Sequence, residues 1–141
     1  MGNYDYIYDV FKEILQLNYK INYKELLDIN LYPGQPILLE NIFKKEGITQ
    51  SELSNISLKK PATITTMINR LEHIGYINRV SDDSDKRIVR LYLTDLGRKK
   101  YYQLLNLKRS MSNNIFNGMS DEDISNIYNL LIKIKNNLEK I

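Results

Sequence analysis

The sequence contains no cysteine and only one histidine, His73, among its 141 residues. The absence of cysteine excludes disulfide frameworks, thiol nucleophiles, thiol-based oxidant sensing and cysteine-ligated zinc. A single histidine cannot build a histidine-rich metal site. We therefore expect neither a metal nor another cofactor, and we interpret His73 as a residue near a helix C-terminus rather than as a ligand.

Long apolar segments and linker-like segments are also missing. The sequence has no apolar run of about 18 residues, no repeat, and no Pro/Gly/Ser-rich tract that would separate domains. Its 43% hydrophobic and 26% charged residues are typical of an ordinary globular protein. We expect a single cytoplasmic domain over residues 1–141, without a membrane partner, whose core is complete or is completed by a second copy.

Motifs of enzyme chemistry are absent as well. There is no Gly-rich phosphate loop, no nucleophile motif and no cluster of metal-binding residues. The carboxylates fall in predicted turns or on solvated helix faces. The sequence therefore does not predict an enzyme.

Positive charge is concentrated in the middle of the chain. The net charge is only +3, but residues 59–100 hold ten Lys and Arg against five Asp and Glu, a local charge of +5. A concentrated basic face suits a polyanion such as DNA, although basic segments are often only solvated surface.

Regular apolar spacing predicts long helices near both ends of the chain, and a third long helix that begins with Thr94 as its N-cap. Residues of about 4 to 26 and the segment after Ser120 repeat apolar side chains at steps of three and four. These stripes either pack in an intramolecular bundle or form a dimer interface, and we favour the dimer because they flank a region with its own core. The candidate dimerisation residues are Ile7, Val10, Ile14, Leu17, Ile124, Ile127, Leu131, Ile134 and Leu138.

The middle region predicts two helices joined by a tight turn. The segment "PGQPILLENIFKKEG" precedes them and predicts a short buried helix. Thr49 and Glu52 predict a capping box at the start of the first helix of the pair, with Leu53 and Ile56 facing the core. The second helix ends at Gly75. This arrangement indicates a helix-turn-helix.

The exposed face of the second helix is rich in threonine. β-Branched residues lose side-chain entropy in a helix, so their presence on this face calls for a reason. A DNA major groove provides one, because small hydroxyls and methyls approach base edges while flanking cations reach phosphates. A merely polar helix face is the alternative. The candidate DNA-binding residues here are Lys59, Lys60, Ala62, Thr63, Thr65, Thr66 and Arg70.

The segments "YINRVS" and "RIVRLYL" predict a β-hairpin directly after this helix. A hairpin in that place is a wing, from which Lys86 and Arg87 would reach phosphates or the minor groove. We interpret Asp83 and Asp85 as turn-forming residues, and Asp85 also as the acid that orients Arg87 by a charge-assisted hydrogen bond. The alternative is an exposed ion pair of little consequence for stability.

The motifs in this region resemble those of the MarR family of winged-helix transcriptional regulators. The resemblance lies in "TQSELS", "PATITTMINRLEHIGYINR" and "DKRIVRLYLTDLG". The family signature has an acid, any residue and an arginine in the wing, here Asp85 and Arg87. It continues with a strand and Leu-Thr-x-x-Gly, here Leu93, Thr94 and Gly97.

The resemblance implies a mainly α fold with a small β-hairpin (α+β). A winged helix-turn-helix lobe would cover about 34–98, and a helical dimerisation region would cover about 1–27 and 95–141. It implies a homodimer that binds a pseudo-palindromic site in double-stranded DNA, with Lys60–Leu71 as the base-reading helix. Such proteins usually act as repressors.

The resemblance also implies release of DNA by a small aromatic or anionic effector held between the dimer helices and the DNA-binding lobe. The residues themselves identify no ligand pocket, and regulation through expression level or a protein partner is the alternative. A winged-helix module used for protein association or non-specific DNA binding is the alternative function. A protein-docking helix would present aromatic or aliphatic anchors instead of threonines.

Overall fold

A computed structural model describes residues 3–57 and 59–141, and within them six helices and three strands are present. Leu58, in the predicted turn of the helix-turn-helix, lies outside the described residues. In chain order the elements are α1 (Asp5–Asp28), α2 (Gln35–Lys44), β1 (Ile48–Thr49), α3 (Gln50–Ser57), α4 (Pro61–Ile74), β2 (Ile77–Ser81), β3 (Val89–Leu93), α5 (Asp95–Ile115) and α6 (Asp121–Leu138). The predicted fold class, mainly α with a small sheet, is confirmed.

The chain divides into two compact units after Leu105. The first unit contains the hydrophobic core, which apolar side chains from α2, α3, α4 and the three strands form together. Removal of these side chains from water is the main force that holds the helices against the sheet. The core residues are Leu31, Leu38, Leu39, Ile42, Ile48, Leu53, Ile64, Ile68, Leu71, Tyr76, Ile77, Leu91 and Leu93.

Ile56 is predicted to face the core, and Ile37 belongs to the helix predicted to be buried, but both lie outside the core. The exposed fraction is 39% for Ile37 and 51% for Ile56. The eight-residue helix α3 buries only Leu53, so Ile56 in its last turn projects beyond the core. In α2, Leu38 and Leu39 face the core, and Ile37 lies on the side of the helix away from them.

The predicted helix caps are present. At the start of α3 the Thr49 N–H donates to Glu52 Oε2 at 2.9 Å, and the Glu52 N–H donates to Thr49 Oγ1 at 3.1 Å. Ser120 and Asp123 form the same reciprocal pair at the start of α6. Each capping box satisfies two backbone N–H groups that the helix itself cannot pair.

The three strands form an antiparallel sheet in the order β1-β3-β2. The predicted hairpin is confirmed as β2 and β3, with Ile77 opposite Leu93 and Ser81 opposite Val89. The two-residue strand β1 was not predicted, because two residues are too few to show an alternating pattern. It pairs with β3 through Ile48 and Leu91.

The predicted dimerisation stripes lie on the surface of each helix. Neither α1 nor α6 contains a buried residue. The exposed fraction is 56% for Ile14 on α1 and 45% for Leu131 on α6. Both helices therefore carry large apolar side chains that a single chain leaves in contact with water.

Among the described residues, no helix combines the length and the apolar character that a membrane span requires.

Candidate nucleic-acid interface

Helix α4 presents one polar face because its other face is in the core. Pro61 occupies the first turn, where its missing N–H would have no helical partner, and Gly75 ends the helix with a φ of +91°. The buried positions are Ile64, Ile68 and Leu71. The exposed positions include the predicted contacts Ala62, Thr63, Thr66 and Arg70, and Lys59 and Lys60 precede the helix in the same exposed state.

Thr66 is available on this face. Its side chain is exposed, and its hydroxyl donates to the Ala62 carbonyl one helical turn earlier at 3.0 Å. This bond leaves both lone pairs of the hydroxyl oxygen and the methyl group for an external partner. Thr63 is exposed as well.

Thr65 differs from the expectation that all three threonines are exposed. It is half-buried, its hydroxyl accepts a hydrogen bond from Gln50 Nε2 at 2.8 Å, and the same hydroxyl donates to the Pro61 carbonyl at 3.0 Å. Gln50 is the first residue of α3, so this contact joins the two helices of the helix-turn-helix. Gln50 was not among the predicted site residues, and its position directly after the capping Thr49 was the available signal.

Arg70 lies at the end of the same face and packs on an aromatic ring. The carbon of its guanidinium is 4.2 Å from the centroid of the Tyr32 ring, a cation–π distance. Tyr32 and Arg70, together with Thr63, Thr66 and Met67, line an open groove of about 310 Å³. The stacking limits the positions that this guanidinium adopts.

The C-terminal half of α4 is also attached to the sheet. Arg79 on β2 donates a hydrogen bond from Nη2 to Asn69 Oδ1, and its Nε lies 3.7 Å from a Glu72 carboxylate oxygen. These contacts join the exposed face of α4 to β2.

The wing contains the predicted pair of Asp85 and Arg87. The Arg87 Nε and Nη2 groups donate to the two Asp85 carboxylate oxygens at 3.0 Å each, and the Arg87 backbone N–H donates to Oδ1 at 3.0 Å. The hydrogen bonds from Arg87 lower the pKa of Asp85, and the same contact raises the pKa of Arg87. The Arg87 side chain is 90% exposed, so it is oriented and accessible at once.

Asp82, and not Asp83, forms the turn together with Asp85. Asp82 Oδ2 accepts hydrogen bonds from the Ser84 hydroxyl at 2.5 Å and from the backbone N–H groups of Ser84 and Asp85 at 3.1 Å each. The expected turn-former Asp83 is fully exposed and lies 4.0 Å from Lys86 Nζ. An Asp side chain that accepts from the backbone N–H two residues later forms an Asx turn, and both Asp82 and Asp85 make this bond.

The described residues contain no metal centre. In residues 3–57 and 59–141, no three His, Cys, Asp or Glu side chains are placed together in a way that would hold a metal ion.

Several known proteins are similar to this chain in sequence. The MarR family model matches residues 31–89, which include α2 to β2, the turn of the wing and the first residue of β3. The HTH-type transcriptional regulator YybA of Bacillus subtilis is 31% identical over 117 residues, which are 82% of this chain and 77% of YybA. The HTH-type transcriptional repressor MdtR of Bacillus subtilis is 26% identical over 102 residues, 72% of this chain and 66% of MdtR.

Solved structures agree with the sequence relatives. The crystal structure of Streptococcus pneumoniae FabT in complex with DNA has a TM-score of 0.86 and 28% identity, and the match covers 98% of this chain and 99% of FabT. These relatives are transcriptional regulators and not enzymes. The fold, the wing motif and the relatives together show that this chain belongs to the MarR family of winged-helix transcriptional regulators.

Proposed function

We propose that this chain is a repressor that binds a pseudo-palindromic operator as a homodimer and releases it when a small molecule binds. The observation that carries the proposal is the exposed polar face of α4 together with an exposed, oriented wing cation, Arg87. A helix with small polar side chains enters a major groove, and a neighbouring arginine reaches the adjacent backbone or minor groove. FabT was solved in complex with DNA, and MdtR is a repressor.

The charges near the proposed interface fit this assignment. Lys59 and Lys60 precede α4, and Arg70 ends its exposed face, so cations flank the threonines at both ends. Such cations contact phosphates and set the register of the helix, whereas Thr63 and Thr66 face the bases. Lys86 and Arg87 would supply the wing contacts.

The homodimer is supported by the apolar side chains of α1 and α6. A single chain leaves Leu17 and Leu138 more than half exposed, at 58% and 57%. Burial of such side chains stabilises an association by about 25 cal/mol for each Å² removed from water, and a second copy offers the same apolar helices. We accordingly assign about 34–98 to the DNA-binding lobe, and about 1–27 and 95–141 to dimerisation.

The proposed effector is a small aromatic or anionic molecule. Release of an operator duplex on addition of an aromatic carboxylic acid would support the ligand response, and retention of the duplex with a panel of such acids would count against it.

The alternative of a protein-docking module has less support. Its helix would present aromatic or aliphatic anchors. The exposed positions of α4 include Ala62, Thr63 and Thr66 instead, with flanking cations.

The decisive experiment is fluorescence anisotropy with a duplex taken from upstream of the protein's own gene. A scrambled duplex of equal length and composition is the reference, and each titration is run at two salt concentrations. Arg87→Ala should weaken operator binding about tenfold. It should also reduce the slope of the log binding constant against log salt concentration by about one, because one phosphate contact is lost. Lys108→Ala, which removes an exposed cation from α5, is the matched control.

The outcomes separate the two functions. Sequence-selective binding that depends on Arg87 and not on Lys108 supports an operator-specific regulator. Weak and equal binding to both duplexes would contradict sequence-specific recognition at this operator, and unchanged affinity of Arg87→Ala at both salt concentrations would contradict the wing contact.

A further inference from the structure

A continuous series of polar contacts joins the wing to the segment between α2 and β1. It begins at the Gly47 carbonyl, which accepts a hydrogen bond from Arg90 Nη1 at 3.0 Å. Arg90 lies on β3, and its Nε donates to Asp82 Oδ1 at 2.6 Å. Gly47 is held in turn, because its N–H donates to the Leu91 carbonyl at 2.8 Å. The base of the wing is therefore attached to the segment between α2 and β1.

The two oxygens of the Asp82 carboxylate accept hydrogen bonds from different parts of the wing. Oδ1 accepts from Arg90, whereas Oδ2 accepts from Ser84 and from the Asp85 backbone N–H. The hydrogen bonds from Ser84 and then Arg90 hold the pKa of Asp82 well below its ordinary value. The carboxylate is thus charged at neutral pH and connects the base of the wing to its turn.

The series ends at the wing arginine. Asp85, whose backbone is held by Asp82, orients the Arg87 guanidinium through two side-chain hydrogen bonds. The connected residues run from Gly47 through Arg90, Asp82 and Asp85 to Arg87.

The side chains of the series become more exposed toward Arg87, the residue proposed to contact DNA. The Asp82 side chain is 13% exposed and Arg90 is 38% exposed, whereas Arg87 is 90% exposed. The Asp82 carboxylate is largely shielded from solvent. It also carries the same charge as a phosphate, which would repel it. The position of Asp82 therefore suits orientation of Arg87 and not contact with DNA.

We propose that Asp82 and Arg90 are positioning residues for DNA binding, which hold the wing turn so that Arg87 is pre-oriented toward the duplex. The inference rests on the proposed wing contact and adds the residues that make it effective. A loop ordered before binding loses less conformational entropy on association than a mobile one, so a fixed wing binds more tightly with the same contacts.

The test is a double-mutant cycle in operator affinity, with Asp82→Asn, Arg87→Ala and the combined variant. Asp82→Asn should weaken binding several-fold, and the combined variant should bind within about twofold of Arg87→Ala alone, because a disordered wing no longer uses the arginine. A merely structural role would make the two losses multiply.

Two further variants serve as a charge control and as a replacement for Asp82→Asn in the double-mutant cycle. Asp83→Asn removes the same charge from a fully exposed wing residue, so it should leave affinity unchanged or slightly tighter. Arg90→Gln removes the hydrogen bonds from Arg90 to the Gly47 carbonyl and to Asp82 Oδ1 but leaves the bonds of the turn to Asp82 Oδ2. It replaces Asp82→Asn in the cycle if that variant does not fold. Thermal unfolding of each variant identifies a loss of fold.

The inference is overturned if Asp82→Asn or Arg90→Gln binds like the wild type, or if its loss multiplies with that of Arg87→Ala. A different result, in which Arg87→Ala itself has no effect, refutes the wing contact and the positioning role with it. If only the positioning role is wrong, Arg87→Ala still weakens operator binding.

Discussion

Tyr76 and Gly97 meet so closely that a Cβ atom on Gly97 would lie 1.9 Å from the Tyr76 carbonyl oxygen. The same carbonyl accepts a hydrogen bond from the Thr94 N–H at 3.1 Å. Thr94 also donates from Oγ1 to the Gly75 carbonyl and accepts at Oγ1 from the Gly97 N–H at 3.0 Å, as the predicted N-cap of α5 should. The Leu-Thr-x-x-Gly motif thus fixes the start of α5 against the end of α4.

Gly97→Ala should lower the free energy of unfolding by about 2 kcal/mol or more, because the added methyl group collides with backbone and cannot be accommodated by a side-chain rotation. Lys99→Ala, on the exposed side of the same helical turn, is the control and should have little effect. Urea unfolding followed by circular dichroism measures both. Equal stability of Gly97→Ala and the wild type would contradict the close contact.

The capping box of α3 should make stability depend on pH in the acid range. Hydrogen bonds from Lys45 and from the Thr49 backbone lower the pKa of Glu52 to about 2. The folded-state pKa is below the unfolded value of about 4.3, so this contribution is complete above about pH 5 and is lost as pH falls through about 2. The stability advantage of wild type over Glu52→Gln should therefore shrink over that window. An advantage that does not change with pH would contradict the ionised cap.

Thr66 and Thr65 on α4 should respond differently to substitution. Thr66→Ala removes an exposed hydroxyl and should change base preference more than overall affinity, because base contacts specify and phosphate contacts position. Thr65→Ala removes the partner of Gln50 as well, so we expect altered base preference accompanied by a lower melting temperature. Binding selections over randomised operators measure the preference. An equal loss on every sequence for Thr66→Ala would contradict base reading.

Leu131→Glu should abolish the dimer and tight operator binding with it. The side chain is 45% exposed in the single chain, so the charge is tolerated by the monomer fold but not within an apolar interface. Asn129→Glu introduces the same group on another side of α6 and serves as the control. Light scattering after size exclusion gives the mass of each variant. A wild-type protein that is a folded monomer at micromolar concentration would refute the dimer.

Several features of the fold and the site could be predicted from the sequence. The capping boxes, the glycine that ends α4, the hairpin and the Asp85–Arg87 pair each involve residues within a few positions of each other or a short repeating pattern. Chain connectivity already brings such residues together, so the residue types and their spacing are sufficient.

Other features depend on residues that are distant in the chain. The Gln50–Thr65 bond joins residues 15 apart, and the Arg90–Gly47 bond joins residues 43 apart. The exposure of Ile56 and the pairing of β1 likewise follow from how the elements pack.

The sequence by itself therefore determined the helices, their caps, the wing and the residues that mark the family, because these depend on local geometry and periodic burial. The tertiary structure alone decided that Thr65 is held by Gln50, and that Asp82 joins Arg90 to the wing turn. The packing of α3, α4 and the sheet decides which groups come within about 3 Å of a polar side chain. Those groups are its hydrogen-bond partners.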